Sequence, residues 1–241
     1  MEILAVIPAR SGSKGLVDKN ILLLKGHPLL SYSIAAATSS NLVTRVICST
    51  DSRSYAEIAI KYGAEVPFLR PKKYALHNSS DFEVFFHLLN KLNKREKYLP
   101  DLVVQLRPTS PLRYPGMVDE AIKSFKKMNN IDSLRGVSEP DHSPYKMWTV
   151  GNDQLLQPLL RIRDNPEPYN TNRQDLPEIF AQTGSIEVVR LNTILIKMSM
   201  TGKKIMPFFI PNEYFIDIDN QTGLTLCESL LDELTCIRPD G

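Results

Sequence analysis

The chain has 241 residues, of which 42% are hydrophobic and 23% are charged, a composition typical of one large globular α/β domain. Its 29 basic and 27 acidic residues leave a formal net charge of +2, which gives no indication of a nucleic-acid-binding surface. No apolar run reaches the length of a membrane span, and residues 1–8 lack the features of a signal peptide. The three cysteines show no metal-ligand spacing, so we expect reduced thiols in a cytoplasmic protein.

The first third of the chain alternates strand patterns with helix patterns. Residues 3–7 form a short apolar run that is typical of a strand buried on both faces. A helix is predicted over 28–38, a second strand over 43–49 and a second helix over 53–62. This order is typical of strands that lie parallel in one sheet.

The same alternation continues through the middle of the chain. Ser79 and Ser80 are candidate N-caps of a helix with one apolar face. A buried strand is predicted over 102–106 and another helix over 116–128. The sequence therefore predicts an α/β fold with a doubly wound, mostly parallel sheet, in a single domain that covers residues 1–241.

The pattern changes between about residues 138 and 183. This segment is rich in Pro, Asn, Asp and Arg, and its apolar stretches are short. We interpret it as a small inserted lobe or a partner-binding arm. Apolar patterning returns at 185–189 and 205–209, and a last helix is predicted over 222–235.

Glycines and cations are concentrated in residues 8–20, directly after the first strand. Gly12 and Gly15 allow the backbone to approach a ligand, and successive N–H groups there suit an anion. The cations are Arg10, Lys14 and Lys19. The spacing is neither G-x-x-x-x-G-K-[ST] nor G-x-G-x-x-G, which weighs against a P-loop ATPase and a dinucleotide oxidoreductase. A triphosphate site is the favoured interpretation, and a solvated turn with scattered lysines is the alternative.

The segment I-P-A-R-S-G-S-K-G with Lys19 and Asn20 resembles the nucleotide-binding signature of the acylneuraminate (CMP-sialic acid) cytidylyltransferase family. Further segments match in order, nearly to the end of the chain. They are S-T-D at 49–51, R-P-T-S-P-L-R at 107–113, Arg173-Gln174 before Gly184, and I-D-I-D at 216–219.

The resemblance implies a Rossmann-like nucleotidyltransferase with an inserted dimerisation lobe, forming a homodimer whose arms cover each other's sites. It also implies the reaction. The anomeric hydroxyl of an acidic 2-keto-3-deoxy sugar attacks the α-phosphorus of CTP, pyrophosphate leaves, and a CMP-sugar remains. Such a CMP-sugar serves polysaccharide biosynthesis, and the expected partners are CTP and a nine-carbon acidic sugar, without nucleic acid or membrane.

The resemblance also implies residue roles for the nucleotide. Arg10 and Lys19 match phosphate-binding residues, and Arg70 and Ser80 fall near the cytosine and ribose, although a helix cap is the alternative role for Ser80. The expected CTP-binding residues are Ala9, Arg10, Ser11, Gly12, Lys14, Lys19, Asn20, Arg70 and Ser80.

Asp217 and Asp219 match the family's Mg²⁺ ligands, and with Arg10 and Lys19 they are the expected catalytic residues. In a strand, side chains at i and i+2 share one face, so two such carboxylates are placed to share one hard cation. The alternative is that both aspartates cap the helix predicted from residue 222.

The expected sugar-binding residues are Arg107, Lys146, Arg173 and Gln174. Lys146 and Arg173 match family cations for the sugar, and a solvated arm is the alternative for both. Arg107 stands where the family often has a sugar-contacting Gln, and a planar cation does not reproduce an amide's donor and acceptor. N-acetylneuraminate, its deaminated analogue KDN and legionaminate-type sugars therefore remain open.

Two other functions remain open from the sequence. One is a sugar nucleotidyltransferase that uses a different nucleotide or sugar on the same fold. The other is a non-catalytic nucleotide-binding homologue. Intact Arg10, Lys19, Asp217 and Asp219 weigh against the second.

Overall fold

The computed structural model describes residues 1–13 and 15–240. Its strands are β1 (Ile3–Pro8), β2 (Leu23–Leu24), β3 (His27–Pro28), β4 (Arg45–Ser49), β5 (Leu102–Gln105), β6 (Ser133–Ser138), β7 (Trp148–Val150), β8 (Leu156–Pro158), β9 (Ala181–Arg190) and β10 (Ile205–Phe209). Its α-helices are α1 (Leu29–Thr38), α2 (Arg53–Lys61), α3 (Asp81–Glu96), α4 (Met117–Lys126), α5 (Leu191–Leu195) and α6 (Gln221–Glu233).

The central sheet has six strands in the order β10-β6-β9-β5-β1-β4. Strand β1 pairs in parallel with β4 and β5, and β10 pairs in parallel with β6. Strand β9 runs antiparallel to both of its neighbours, β5 and β6. The predicted α/β fold with a mostly parallel sheet is confirmed.

Helices cover both faces of this sheet because β1 is apolar on both faces. Ile3, Ala5 and Ile7 pack on one side with α1, α2 and α4. Leu4 and Val6 pack on the other side with α3 and α5. This is the doubly wound arrangement that the strand and helix patterns predict.

The predicted elements differ from the observed ones mainly at their ends. The helix predicted over 116–128 is α4, and the strand predicted over 185–189 lies inside the longer β9. The five-residue helix α5 has no counterpart in the sequence prediction, because one and a half turns leave almost no periodic pattern. None of the helices in the described part of the chain has the length and apolar character to span a bilayer, and α3 has 16 residues.

Residues 139–180 connect β6 to β9, and we call this segment the arm. It contains the two-stranded β7–β8 hairpin and three-residue 3₁₀ turns. Its apolar side chains face outward, with Val150 64% and Leu156 63% exposed. The arm occupies the place of the inserted lobe predicted from composition, and its role in dimerisation stays a prediction.

Candidate active site

A cavity of about 530 Å³ lies at the carboxyl ends of β1, β4 and β5. Ligands of open α/β sheets bind at this edge. Residues from four separate stretches of the sequence, within 8–20, 70–84, 107–109 and 217–219, line the cavity. The predicted site residues among them are Arg10, Lys19, Asn20, Arg70, Arg107, Asp217 and Asp219.

The loop after β1 is fastened to neighbouring elements by hydrogen bonds. Buried Ala9 donates its N–H to the Ser49 carbonyl at 2.9 Å, and the Asn20 amide donates to the Arg10 carbonyl at 2.9 Å. Gly12 has a φ of +64°, a backbone conformation that side chains disfavour. These hydrogen bonds hold both ends of the loop, and Arg10, Ser13 and Gly15 of the loop line the cavity.

Asp51 holds the centre of the same loop. Its carboxylate accepts hydrogen bonds from the Ser11 N–H at 2.9 Å and from the Ser11 hydroxyl at 2.8 Å. The hydrogen bonds between Ser11 and Asp51 therefore hold the backbone of the loop in place. Lys14, which the sequence predicts as a nucleotide contact, lies outside the described residues.

Asp217 and Asp219 lie on an extended segment before α6. The prediction that they belong to a strand is wrong, because residues 215–218 pair with no strand of the described chain. The side chains nevertheless alternate: Ile216 and Ile218 are buried while both aspartates line the cavity. The Ile218 N–H, which donates to the Thr109 carbonyl at 2.8 Å, fastens the segment.

The helix-capping alternative for the two aspartates is not what the structure shows. Asn220 caps α6, and its side chain accepts a hydrogen bond from the Gly223 N–H at 2.9 Å. The two carboxylates are therefore left to face the cavity.

The electrostatics of the pair favour a cation. Burial by surrounding protein atoms raises the pKa of Asp217, a hydrogen bond with Thr109 opposes this shift, and the nearby charge of Asp219 raises the pKa further. Lys19 Nζ lies 2.6 Å from Asp219 Oδ1, so the positive charge of Lys19 offsets part of the negative charge of the two aspartates. A Cβ on Gly15 would come 3.0 Å from the main-chain carbonyl oxygen of Asp219, so glycine lets the loop lie close to the backbone that carries this carboxylate.

Arg70 supplies a buried cation beside the loop. One of its terminal nitrogens donates to the Ser49 carbonyl at 3.0 Å, while its buried Nε has no partner among the described residues. Burial lowers the pKa of Arg70, and the nearby charge of Asp51 opposes that shift. A buried guanidinium with an unused donor is suited to an acceptor that enters the cavity.

A family model described as cytidylyltransferase matches residues 4–194. The chain belongs to this cytidylyltransferase family. The CMP-N,N'-diacetyllegionaminic acid synthase of Legionella pneumophila is 33% identical, with 96% of this chain and 97% of that protein covered. The N-acylneuraminate cytidylyltransferase of Escherichia coli is 30% identical over 93% of this chain, which spans about half (51%) of that longer protein.

A solved structure of CMP:2-keto-3-deoxy-manno-octonic acid synthetase complexed with CTP has the same fold. The TM-score is 0.70 at 17% identity, and the match covers 97% of this chain and 99% of that chain. The Rossmann-like nucleotidyltransferase fold implied by the sequence resemblance is confirmed.

The cytidylyltransferase keeps its R-P-T-S-P-L-R segment in place with a fully buried arginine. The Arg113 guanidinium donates to the Ser185 carbonyl at 2.8 Å and to the Arg107 carbonyl at 3.0 Å. It also donates to the Ser33 hydroxyl of α1 at 3.1 Å. Burial lowers the pKa of Arg113 to about 9. This arginine thus ties the cavity-lining backbone at Arg107 to β9 and α1.

Ser80 is the N-cap of α3. Its hydroxyl accepts from the Glu83 N–H at 3.3 Å, and the Glu83 carboxylate accepts from the Ser80 N–H at 2.8 Å. This capping box is the alternative role that the sequence left open. Ser79 rather than Ser80 lines the cavity, so the nucleotide role of Ser80 stays a prediction.

The cytidylyltransferase does not bring all the predicted sugar residues to this cavity. Arg173 and Gln174 line a second cavity of about 390 Å³ on the arm, and Arg173 donates to the Pro140 carbonyl at 2.8 Å. Lys146 is exposed at the end of a 3₁₀ turn next to the β7–β8 hairpin. Within the described residues of one chain, Arg107 is the predicted sugar residue that lines the main cavity.

Three carboxylates at this edge of the sheet contact site residues and were not predicted from the sequence as part of the site. Asp51 follows the second strand in the S-T-D segment, so its position was a usable signal. Asp81 opens α3, and nothing in the helix pattern separates it from an ordinary first-turn acid. Glu187 is an acid inside an apolar strand pattern, which is a signal for a buried pair.

Proposed function

We propose that this cytidylyltransferase transfers CMP from CTP to the anomeric hydroxyl of an acidic nine-carbon 2-keto-3-deoxy sugar, a nonulosonic acid, and releases pyrophosphate. The observation that carries the proposal is the cavity itself. It places the loop cations Arg10 and Lys19 beside the carboxylates Asp217 and Asp219 at the ligand-binding edge of the sheet.

The triphosphate binds at the loop after β1. Arg10, Lys19 and backbone N–H groups of the loop bind anionic oxygens there, with the exception of the Ser11 N–H, which donates to Asp51. Lys19 is paired with Asp219 at 2.6 Å, so it is already located between the phosphate loop and the carboxylates. Nucleotidyl transfer depends mainly on such positioning and charge neutralisation.

Asp217 and Asp219 hold Mg²⁺ in this proposal. Carboxylates are the ligands that Mg²⁺ prefers, and it takes one or two of them together with water and phosphate oxygens. The described residues contain no cluster of three or more metal-ligating acids, histidines or cysteines, which fits this sparse ligand set. The ion supplies positive charge to the α-phosphate and to the leaving pyrophosphate. The raised pKa of Asp217 supports the assignment, because a partly buried carboxylate beside another acid is stabilised by a cation.

Cytosine and ribose occupy the side of the cavity lined by Arg70, Tyr74, Leu76 and Ser79. The Arg70 guanidinium lines this side and carries N–H donors suited to an acceptor oxygen of the base. The relatives are named as a CMP-sugar synthase and a cytidylyltransferase, which supports CTP as the nucleotide.

The sugar enters from the Arg107 side of the cavity, next to the reacting phosphate. Relatives are named for diacetyllegionaminic, N-acylneuraminic and pseudaminic acids, which supports the nonulosonic acid class. Lys146 and Arg173 supply the cations for the sugar's carboxylate. Because they lie on the arm, they act on the cavity of a second copy in a homodimer, whose interface is formed by the exposed apolar side chains of the β7–β8 hairpin. We propose that the enzyme works in the cytoplasm and serves polysaccharide biosynthesis.

Pyrophosphate release tests the function directly. The purified protein is incubated with Mg²⁺, one of CTP, ATP, GTP or UTP, and one of a panel of nonulosonic acids. We expect turnover with CTP and at least one of these sugars, and none when EDTA removes the metal. Equal turnover with all four nucleotides, or none with any sugar of the panel, would contradict the proposal.

A further inference from the structure

A network of charged side chains extends from the active-site cavity along the carboxyl edge of the sheet. Its most buried member is Glu187 of β9, whose side chain is 3% exposed. Glu187 accepts from Arg135 of β6 at 2.8 Å and from the Gln182 amide at 3.1 Å, and it lies 3.9 Å from Arg107. The Gln182 carbonyl in turn accepts from Arg135 at 2.8 Å.

Arg107 connects this network of charges to the cavity. Its guanidinium forms a short ion pair with Asp81, whose carboxylate also accepts from the Gln105 amide at 3.1 Å. Asp81 and Arg107 both line the cavity. The carboxylates Asp217 and Asp219 line the same cavity.

The position of Arg107 is fixed by packing as well as by charge. A Cβ on Gly184 would lie 3.2 Å from Arg107 Cδ and 2.5 Å from Ser110 Oγ. The arginine stem therefore rests directly on the β9 backbone, and its carbonyl is held by Arg113 at 3.0 Å. Both ends of the residue are anchored, which leaves the guanidinium little freedom to turn towards a different partner.

The network is electrically balanced. Arg107 and Arg135 contribute two positive charges, and Asp81 and Glu187 contribute two negative charges. A guanidinium that already faces a carboxylate has much less attraction for a second carboxylate, because the new Coulomb gain is offset by repulsion between the two acids. Arg107 is therefore a poor match for the acid group that all nonulosonic acids share.

Arg107 nevertheless has donors to spare. A guanidinium carries five N–H groups, and the side chain is 36% exposed on the cavity side. Its Nε is buried, so the donors that a ligand can reach are on the terminal nitrogens. An uncharged acceptor, such as an acyl carbonyl or a hydroxyl oxygen, fits these free donors without disturbing the pairs.

We propose that Arg107, Asp81, Glu187 and Arg135 form a charge-balanced wall of the sugar site, in which Arg107 donates hydrogen bonds to an uncharged substituent of the sugar and not to its carboxylate. The proposal rests on the function proposed above and narrows it. It makes Arg107 a specificity-determining residue, while Asp81 and Glu187 are positioning residues. The sugar's carboxylate is bound by cations outside this wall.

The experiment compares sugars that share the carboxylate but differ elsewhere. The probes are N-acetylneuraminate, KDN and N,N'-diacetyllegionaminate, each with CTP and Mg²⁺. Arg107→Gln keeps a hydrogen-bond donor but removes one positive charge from the wall. The double variant Arg107→Gln with Asp81→Asn removes one positive and one negative charge, so the net charge of the wall is unchanged. The matched control is Arg95→Gln, which removes an exposed arginine in the last turn of α3, at the end of the helix away from the cavity.

We expect both cavity variants to change kcat/KM unequally among the three sugars, altering at least one pairwise ratio by about tenfold. The KM for CTP should stay within about threefold, and Arg95→Gln should leave every ratio unchanged. A uniform loss of roughly 100-fold for all three sugars would show that Arg107 binds the shared carboxylate and would overturn the proposal. Unchanged ratios would overturn it as well. Absence of turnover by the unaltered protein with every sugar would instead contradict the proposed function.

Discussion

The cavity edge of the sheet and the arm are built in opposite ways. At the cavity, each loop is tied to a neighbouring element by polar contacts, such as Ser11 to Asp51 at 2.9 Å and Ile218 to Thr109 at 2.8 Å. In the arm, the β7–β8 hairpin packs its Trp148 ring on Tyr169, and apolar side chains such as Leu156 face outward. The cavity edge is ordered by contacts within one chain, whereas the arm presents an unpartnered apolar surface.

The same difference separates the residues proposed to bind the nucleotide and metal from those proposed to bind the sugar's carboxylate. The groups for the nucleotide and the metal, Arg10, Lys19, Asp217 and Asp219, meet within one chain. The cations proposed for the sugar's carboxylate, Lys146 and Arg173, lie on the arm. Nucleotide binding is therefore expected to need one chain, and sugar binding to need two.

The largest expected effect tests the cavity side of this comparison. Asp219→Asn removes one of the two carboxylates and the partner of Lys19, so Mg²⁺-dependent pyrophosphate release should fall roughly 100-fold or more. The melting temperature should change little, because the Asp219 side chain is 72% exposed. A titration of turnover against Mg²⁺ measures the effect.

Asp232→Asn is the matched control for that variant. Asp232 pairs with Lys25 at the same 2.6 Å distance, but on α6 away from the cavity. It should keep normal turnover and normal Mg²⁺ dependence. Full activity of Asp219→Asn would disprove the metal assignment.

An intermediate effect tests the arm. Leu156→Asp places a charge on the exposed hairpin, so we expect the proposed homodimer to dissociate and the KM for the sugar to rise at least about tenfold. The KM for CTP should be nearly unchanged. Sedimentation velocity and steady-state kinetics measure the two quantities at the same protein concentration.

Ile196→Asp controls for the added charge. Ile196 is 73% exposed and lies after α5, outside the arm. It should remain dimeric with normal kinetics. A monomeric unaltered protein with full activity would show that the arm of a second copy is not required.

The smallest expected effect tests how closely the cavity edge is packed. Gly184→Ala would place a Cβ 2.5 Å from Ser110 Oγ, so the free energy of unfolding should fall by about 1–3 kcal/mol. Ser110 Oγ is buried without a partner among the described residues, so Ser110→Ala should cost little. The double variant should recover most of the lost stability in urea unfolding. No recovery would mean that the Arg107 stem, and not Ser110, makes the close contact.

Motifs with a chemical requirement were predictable residue by residue. Arg10 and Lys19 stand in a glycine-containing loop after the first strand, the family resemblance implied roles for both and for Asp217 and Asp219, and the structure brings all four to one cavity. The fold class was predictable because apolar runs and amphipathic helices alternate along the chain. The roles of these residues in catalysis stay predictions until the variants are measured.

Other features depend on distant parts of the chain. Nothing local marks Asp81 as the partner of Arg107, because the pair joins the start of α3 to the loop after β5. The antiparallel direction of β9 and the separation of Arg173 from the cavity are likewise invisible in local patterns. Long-range pairing of this kind is decided by packing and charge after the elements meet.

The sequence by itself determined the fold class and predicted a triphosphate loop at residues 8–20, because periodicity and residue chemistry are local properties, while the family resemblance implied the metal role of the carboxylates at 217 and 219. Only the tertiary structure decided which charges neutralise one another. Arg107 reads in the sequence as a free cation in place of an amide, but Asp81 and Glu187 balance it in space. A side chain's effective charge depends on the groups within a few ångströms of it, and the tertiary fold determines which groups those are.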